Sequence, residues 1–149
     1  CNAVEYLAKQ HLDLHFIWPV HLNPAVHNVV HDKFKSHAQI HLVKPLDYPS
    51  LLAVIDRSTF ILTDSGGLQE ESPSFNKPVL ILRDTTERPE VVEVGGGVLV
   101  GTNQQKIIEE AEKLLTDSQH YQKMAHVENP FGDGRAAQRI LDEIARTYN

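Results

Sequence analysis

Along this chain, short apolar runs alternate with longer stretches in which apolar residues recur every third or fourth position. The first pattern reads as buried strand and the second as amphipathic helix. Helical spacing at Ala3, Val4, Leu7 and Ala8 opens the chain. A strand is predicted over 14–19, a helix near 25–34, a strand over 39–43 and a helix from about 49 to 56. The strand predicted over 59–63 runs into Ser65-Gly66-Gly67 and a helix to about 75. Short buried strands are predicted over 79–82 and 98–100, the second following Gly95-Gly96-Gly97. Asn103 has the character of an N-cap for a helix ending near Thr116. A helix around 120–126, a Pro-Gly-rich loop through Gly134 with Asp133 placed as a cap, and a helix from Arg135 complete the pattern.

Such alternation calls for a parallel sheet with helices on both faces, a Rossmann-like α/β domain. No linker, repeat or low-complexity tract divides it. The first helix has no capping residue before it, and its apolar spacing belongs to a helix already under way. The expectation is therefore that a strand, and a whole domain, precede Cys1.

Composition narrows the function classes. An apolar fraction of 41% over 149 residues is enough for one core. A formal charge of −6 argues against a nucleic-acid partner, because no basic stripe can release counterions. One cysteine cannot form an internal disulfide, which points to a reducing cytoplasm. No apolar run reaches membrane-spanning length, so no membrane partner is expected.

The candidate chemistry gathers in 59–88, TFILTDSGGLQEESPSFNKPVLILRDTTER. A strand ending in two glycines and opening a helix presents free backbone N–H groups and a positive dipole end, which suits phosphate. In open α/β sheets this carboxyl edge is where ligands bind. Two readings of Ser65-Gly66-Gly67 stay open: a diphosphate cradle, or an ordinary turn in which Asp64 or Ser65 caps the helix. Neither GxGxxG nor GxxxxGK[ST] is present, which argues against a dinucleotide cofactor and against an ATPase loop. Glu70 and Glu71 either complement the helix dipole or accept hydrogen bonds from a ribose. Arg88 either reaches an anionic ligand or pairs on the surface with Glu87, Glu90 or Asp84, a solvent-screened contact of little weight. His27 and His31 stand at i,i+4, but no third ligand has suitable spacing, so no metal is expected. His21 follows a strand end and reads as a ligand contact, as a general acid/base, or as a loop histidine bonded to backbone.

Taken in order, PVHLNP, TDSGGLQEE, KPVLILRDTTERPE, the GTN before a helix and NPFGDGRA resemble the non-hydrolysing UDP-N-acetylglucosamine 2-epimerases over essentially all 149 residues. DSGGxQEE with RDTTERPE is the specific part. The resemblance implies a glycosyltransferase-B arrangement of two Rossmann-like domains with substrate between them. Residues 1–149 would be the UDP-binding carboxyl-terminal domain, lacking its first strand and the amino-terminal domain. It implies that Ser65, Gly66 and Gly67 hold the diphosphate, that Glu71 holds the ribose and that Arg88 contacts the ligand. Leu46 falls where backbone groups meet the uracil, and Leu51 where a side chain lines that pocket, here without a ring. His21 matches a histidine that contacts a second, regulatory UDP-N-acetylglucosamine in bacterial members. An arginine frequent after PVHLNP is replaced, since this chain reads Ala25-Val26-His27-Asn28.

The family's catalytic histidine and the acidic residues that handle the C2 proton would lie upstream of Cys1, so the chain alone is expected to be inactive. The implied reaction eliminates UDP to a glycal and adds it back after the proton returns to the other face. It requires no cofactor. The resemblance also implies a homodimeric intact enzyme and, by analogy alone, a role in cell-surface polysaccharide synthesis. Two alternatives remain at this stage: the donor domain of a nucleotide-sugar glycosyltransferase, and a non-catalytic nucleotide-sugar-binding domain.

Overall fold

The computed structural model describes residues 1–148. Its elements run α1 (Asn2–Gln10), β1 (Phe16–Pro19), α2 (Pro24–Phe34), β2 (Ile40–Val43), α3 (Tyr48–Arg57), β3 (Ile61–Thr63) and α4 (Gly66–Glu71). They continue with β4 (Val79–Ile81), α5 (Pro89–Glu93), β5 (Gly97–Leu99), α6 (Gln104–Thr116), α7 (Ser118–Ala125) and α8 (Ala136–Tyr148). The alternation expected from the apolar pattern is present, with strands of three or four residues.

Every strand pair is parallel, but the strands form two sheets rather than one. β1 pairs with β2 in the register Phe16 to Ile40, and β3-β4-β5 form a second sheet with Ile61 opposite Val79 and Val79 opposite Gly97. Phe16 and Leu62 nonetheless pack into the same two apolar clusters, so the sheets share their core. In β1 the alternate residues Phe16 and Val20 donate towards β2. The backbone of Ile17, between them in phase, therefore faces the opposite edge. In β3, Ile61 and Thr63 bond towards β4 in the same way, which turns Leu62 to the edge facing β1.

The period-two alternation of strand side chains sorts the helices onto two faces. Leu80 packs with α1, α6 and α7, while its neighbours Val79 and Ile81 pack with Ile55 of α3 and Val91 of α5. Val4 and Ala8 of α1 meet Val30 and Phe34 of α2 on the first face. α1 is also tied to α2 by Glu5, whose carboxylate lies 2.8 Å from Lys33 Nζ.

Local signals account for four of the helix starts. Asn23 Oδ1 accepts from Ala25 N–H, Asp47 Oδ1 from Ser50 N–H, Asn103 Oδ1 from Lys106 N–H, and Asp117 Oδ1 from Gln119 and His120. The helix expected to continue to Phe75 breaks after Glu71 into a 3-10 turn over Ser72–Phe75. Pro73 lacks the N–H that would continue the helix, and Asn76 ends the turn at φ 55°, in the left-handed region. α8 begins beyond Asp133, which accepts Arg135 N–H at 3.1 Å and a two-pronged contact from Arg139. Its apolar side chains Ile140, Leu141 and Ile144 are exposed.

Candidate functional site

The site begins where β3 ends. Thr63 Oγ1 accepts the Ser65 N–H at 3.0 Å, which turns the chain into α4 with Ser65 at the N-cap. The Ser65 side chain forms no capping bond, and the first backbone bond of the helix runs from Gln69 N–H to Ser65 O at 3.4 Å. The Gly66 and Gly67 amides therefore have no backbone acceptor among the described residues, as expected for a first helical turn.

Why glycine at both positions is answered by elimination. Neither residue has a positive φ. A Cβ at Gly66 would meet only the Arg88 guanidinium, at 3.9 Å, and one at Gly67 only Ser65 Oγ, at 3.8 Å. These are ordinary contacts, so neither backbone conformation nor packing within the chain calls for glycine. What glycine leaves free is the room beside the Arg88 guanidinium and Ser65 Oγ.

Arg88 closes over that turn. It stands at the N-cap of α5, its Nε donates to Glu70 of α4, and its Nη1 donates to the Glu87 carbonyl at 3.1 Å. The hydrogen bond to Glu70 raises the Arg88 pKa above its ordinary value. Of the surface partners considered from sequence, Glu87 is a loose one at 3.9 Å; the close partner is Glu70. Asp84 turns elsewhere, so near Gly101 that a Cβ there would sit 2.6 Å from its Oδ1. At φ 60°, Gly101 also occupies backbone space that favours glycine.

Glu71 ends α4 and accepts a 2.5 Å hydrogen bond from the hydroxyl of Tyr48, the first residue of α3. This brings the segment from Leu46 to Leu51 beside the carboxyl end of α4. Leu46 is half-buried, and Leu51 packs against the cluster of Ile55, Ile61 and Val91. Leu51 is thus partly a core residue. His21 is exposed after β1, and its Nδ1 accepts from Asn23 N–H. Among the described residues no hydrogen bond joins it to the cluster of Ser65, Glu71 and Arg88.

Two side chains at the site were not singled out from sequence. Tyr48 lies between Leu46 and Leu51, so it was within reach of that reading. Gln69 is 1% exposed, the buried member of α4, and only its helical phase with Ser72 and Pro73 hints at burial. The His27 and His31 rings stack 4.1 Å apart, as their spacing implies. Among the described residues no group of three or more His, Cys, Asp or Glu side chains forms a metal-binding cluster. No described helix is long and apolar enough to cross a membrane.

Comparison with known proteins places the chain in a family. A family model described as UDP-N-acetylglucosamine 2-epimerase matches residues 1–145. The chain is 46% identical over 147 residues to a UDP-N-acetylglucosamine 2-epimerase of Bacillus subtilis (strain 168), covering 99% of this chain and 39% of that protein. An S. aureus MnaA–UDP co-structure superposes with a TM-score of 0.91 at 46% identity, over 97% of this chain and 40% of that one. A Neisseria meningitidis UDP-GlcNAc 2-epimerase bound to UDP-GlcNAc gives 0.89 at 43% identity, over 97% and 40%. The chain spans about two fifths of the length of these relatives.

Proposed function

The chain belongs to the UDP-N-acetylglucosamine 2-epimerase family, and from that membership we propose that it is the UDP-holding part of an enzyme that interconverts UDP-N-acetylglucosamine and UDP-N-acetylmannosamine. The observation that carries the reading is the glycine pair with free amides beneath the Arg88 guanidinium. Two N–H donors, a helix N-terminus and one permanent cation converge there, a set matched to a diphosphate. Glu71, held by Tyr48 at the far end of α4, accepts from ribose hydroxyls, and Leu46 and Leu51 flank the base. His21 belongs to a separate, regulatory contact with a second nucleotide sugar.

In the reaction the C1–O bond to UDP breaks and the C2 proton is lost, giving a glycal; both steps then reverse with the proton on the other face. Negative charge grows on the departing β-phosphate. Donors already aimed at it lower that barrier without reorganising. Proton transfer at C2 needs an acid and a base, and those belong to the part of the enzyme outside this chain.

The sheet edges support a missing strand. A strand before α1 would join β1 by a right-handed crossover and lie beside it on the edge away from β2. That edge carries Ile17 and faces the Leu62 edge of β3, so one parallel strand completes a single sheet. The exposed apolar residues of α8 fit a contact with the further, amino-terminal domain.

The test is deuterium incorporation at C2 when the full-length protein turns over UDP-N-acetylglucosamine in heavy water. Exchange with formation of the manno epimer is expected. Transfer of the sugar without exchange would mark a glycosyltransferase, and nucleotide-sugar binding with neither outcome a non-catalytic domain.

A further inference from the structure

The glycine turn and the Arg88 loop come from different strands, yet one buried side chain links them. Gln69 Nε2 donates to the Ser65 carbonyl at 3.2 Å. Its Oε1 accepts the Thr86 hydroxyl at 2.5 Å, and Thr86 Oγ1 in turn accepts the Arg88 backbone N–H at 3.0 Å. Gln69 is 1% exposed, so each of these bonds replaces a contact with water that burial has removed. Thr63 Oγ1 holds the Ser65 amide from the other side, leaving the Ser65 backbone fixed at both its N–H and its C=O.

We propose that Gln69 and Thr86 are positioning residues that lock the phosphate-facing amides of Gly66 and Gly67 and the backbone of Arg88 into one rigid unit. This rests on the diphosphate reading above. A carboxamide suits the role because it donates to one loop and accepts from the other with a fixed distance between its two atoms. Leucine or methionine would fill the volume, but the Ser65 carbonyl would keep only its 3.4 Å bond from the residue 69 backbone N–H and the Thr86 hydroxyl would lose its acceptor. Threonine at 86 closes the relay by both accepting and donating, which valine cannot do. Preorganisation of this kind acts on the diphosphate, where small displacements of the donors weaken several contacts together. The uridine end, held through Glu71 and the segment from Leu46 to Leu51, is outside the relay.

The test compares UDP and uridine binding to the full-length protein and its Thr86→Val, Thr86→Ser and Gln69→Met variants, by calorimetry for UDP and ligand-observed NMR for uridine. Thr86→Val and Gln69→Met are expected to weaken UDP by about tenfold, the scale of one lost buried hydrogen bond. Uridine affinity should be unchanged, and Thr86→Ser should restore UDP binding to within about twofold of wild type. Unaltered UDP affinity in both disrupting variants would overturn the proposal. So would a parallel loss of uridine and UDP binding, which is what a merely structural role would produce. Wild-type protein that binds no UDP would defeat the diphosphate reading itself, and this inference with it.

Discussion

The hydroxyl of Tyr48 and the carboxylate of Glu71 meet at 2.5 Å, joining the first turn of α3 to the end of α4. A carboxylate that accepts from a phenol favours the neutral phenol, so the Tyr48 pKa lies above its ordinary value of 10.0, with Glu71 the main cause. Glu71→Gln should bring it back down. Ultraviolet titration of tyrosinate, with Tyr48→Phe to assign the signal, reads the shift. A Tyr48 signal that titrates identically in wild type and Glu71→Gln would mean the bond does not persist in solution.

Arg88 is held by Glu70, and the two are partly exposed. A diphosphate must compete with that carboxylate for the guanidinium. Glu70→Gln removes both the competitor and a nearby negative charge, so UDP should bind several-fold more tightly, most clearly at low salt. Arg88→Ala should weaken UDP by at least about tenfold, the loss of one charged contact. Calorimetry at two ionic strengths measures both. Weaker binding by Glu70→Gln would mean Glu70 supports the arginine rather than competing for it.

Gly67→Ala should separate folding from binding. Position 67 has ordinary helical backbone and room for a methyl group, so alanine should leave stability unchanged or raise it by about 0.5–1 kcal/mol. The same methyl group stands in the phosphate's approach and should reduce UDP affinity by more than about tenfold. Thermal unfolding and calorimetry on one preparation give both numbers. A variant that unfolds early would show that glycine serves the fold.

Glu5 governs an acid transition. Hydrogen bonds from Lys33 and then Lys9 lower its pKa from 4.5 to about 2. Because the folded pKa lies below the unfolded one, its contribution is complete above about pH 4.5 and disappears as pH falls towards 2. Glu5→Gln should flatten the stability profile across that window and leave the profile above it parallel to wild type. Denaturant midpoints between pH 2 and 7 test this. An unchanged slope below pH 4.5 would remove Glu5 from the account.

Elements with a strong local cause were readable from sequence. Asn103 caps where its side chain can reach the next amides, and the helical phase of Ala3, Val4, Leu7 and Ala8 predicts which face of α1 is buried. The division into two sheets was not, because period-two alternation tells which face a residue occupies and says nothing of the strand beside it. The site divides in the same way. Ser65, Gly66, Gly67, Glu71 and Arg88 were named from motif order, and the fold brings them to one edge. Tyr48 reaches Glu71 across 23 residues, Glu70 reaches Arg88 across 18, and Thr86 reaches Gln69 across 17. No spacing rule spans such separations. Gln69 belongs to the DSGGxQEE motif, but its burial was not legible because a polar residue in a short helix ordinarily faces water, whereas here it is enclosed between two loops.

A crystal structure of the full-length protein with UDP would show whether the free amides of Gly66 and Gly67, with Arg88 above them, hold the diphosphate. β-Phosphate oxygens are expected within hydrogen-bonding distance of both amides, with Arg88 moved from Glu70 onto the phosphate. A diphosphate bound elsewhere, with the Arg88–Glu70 pair intact, would contradict that assignment.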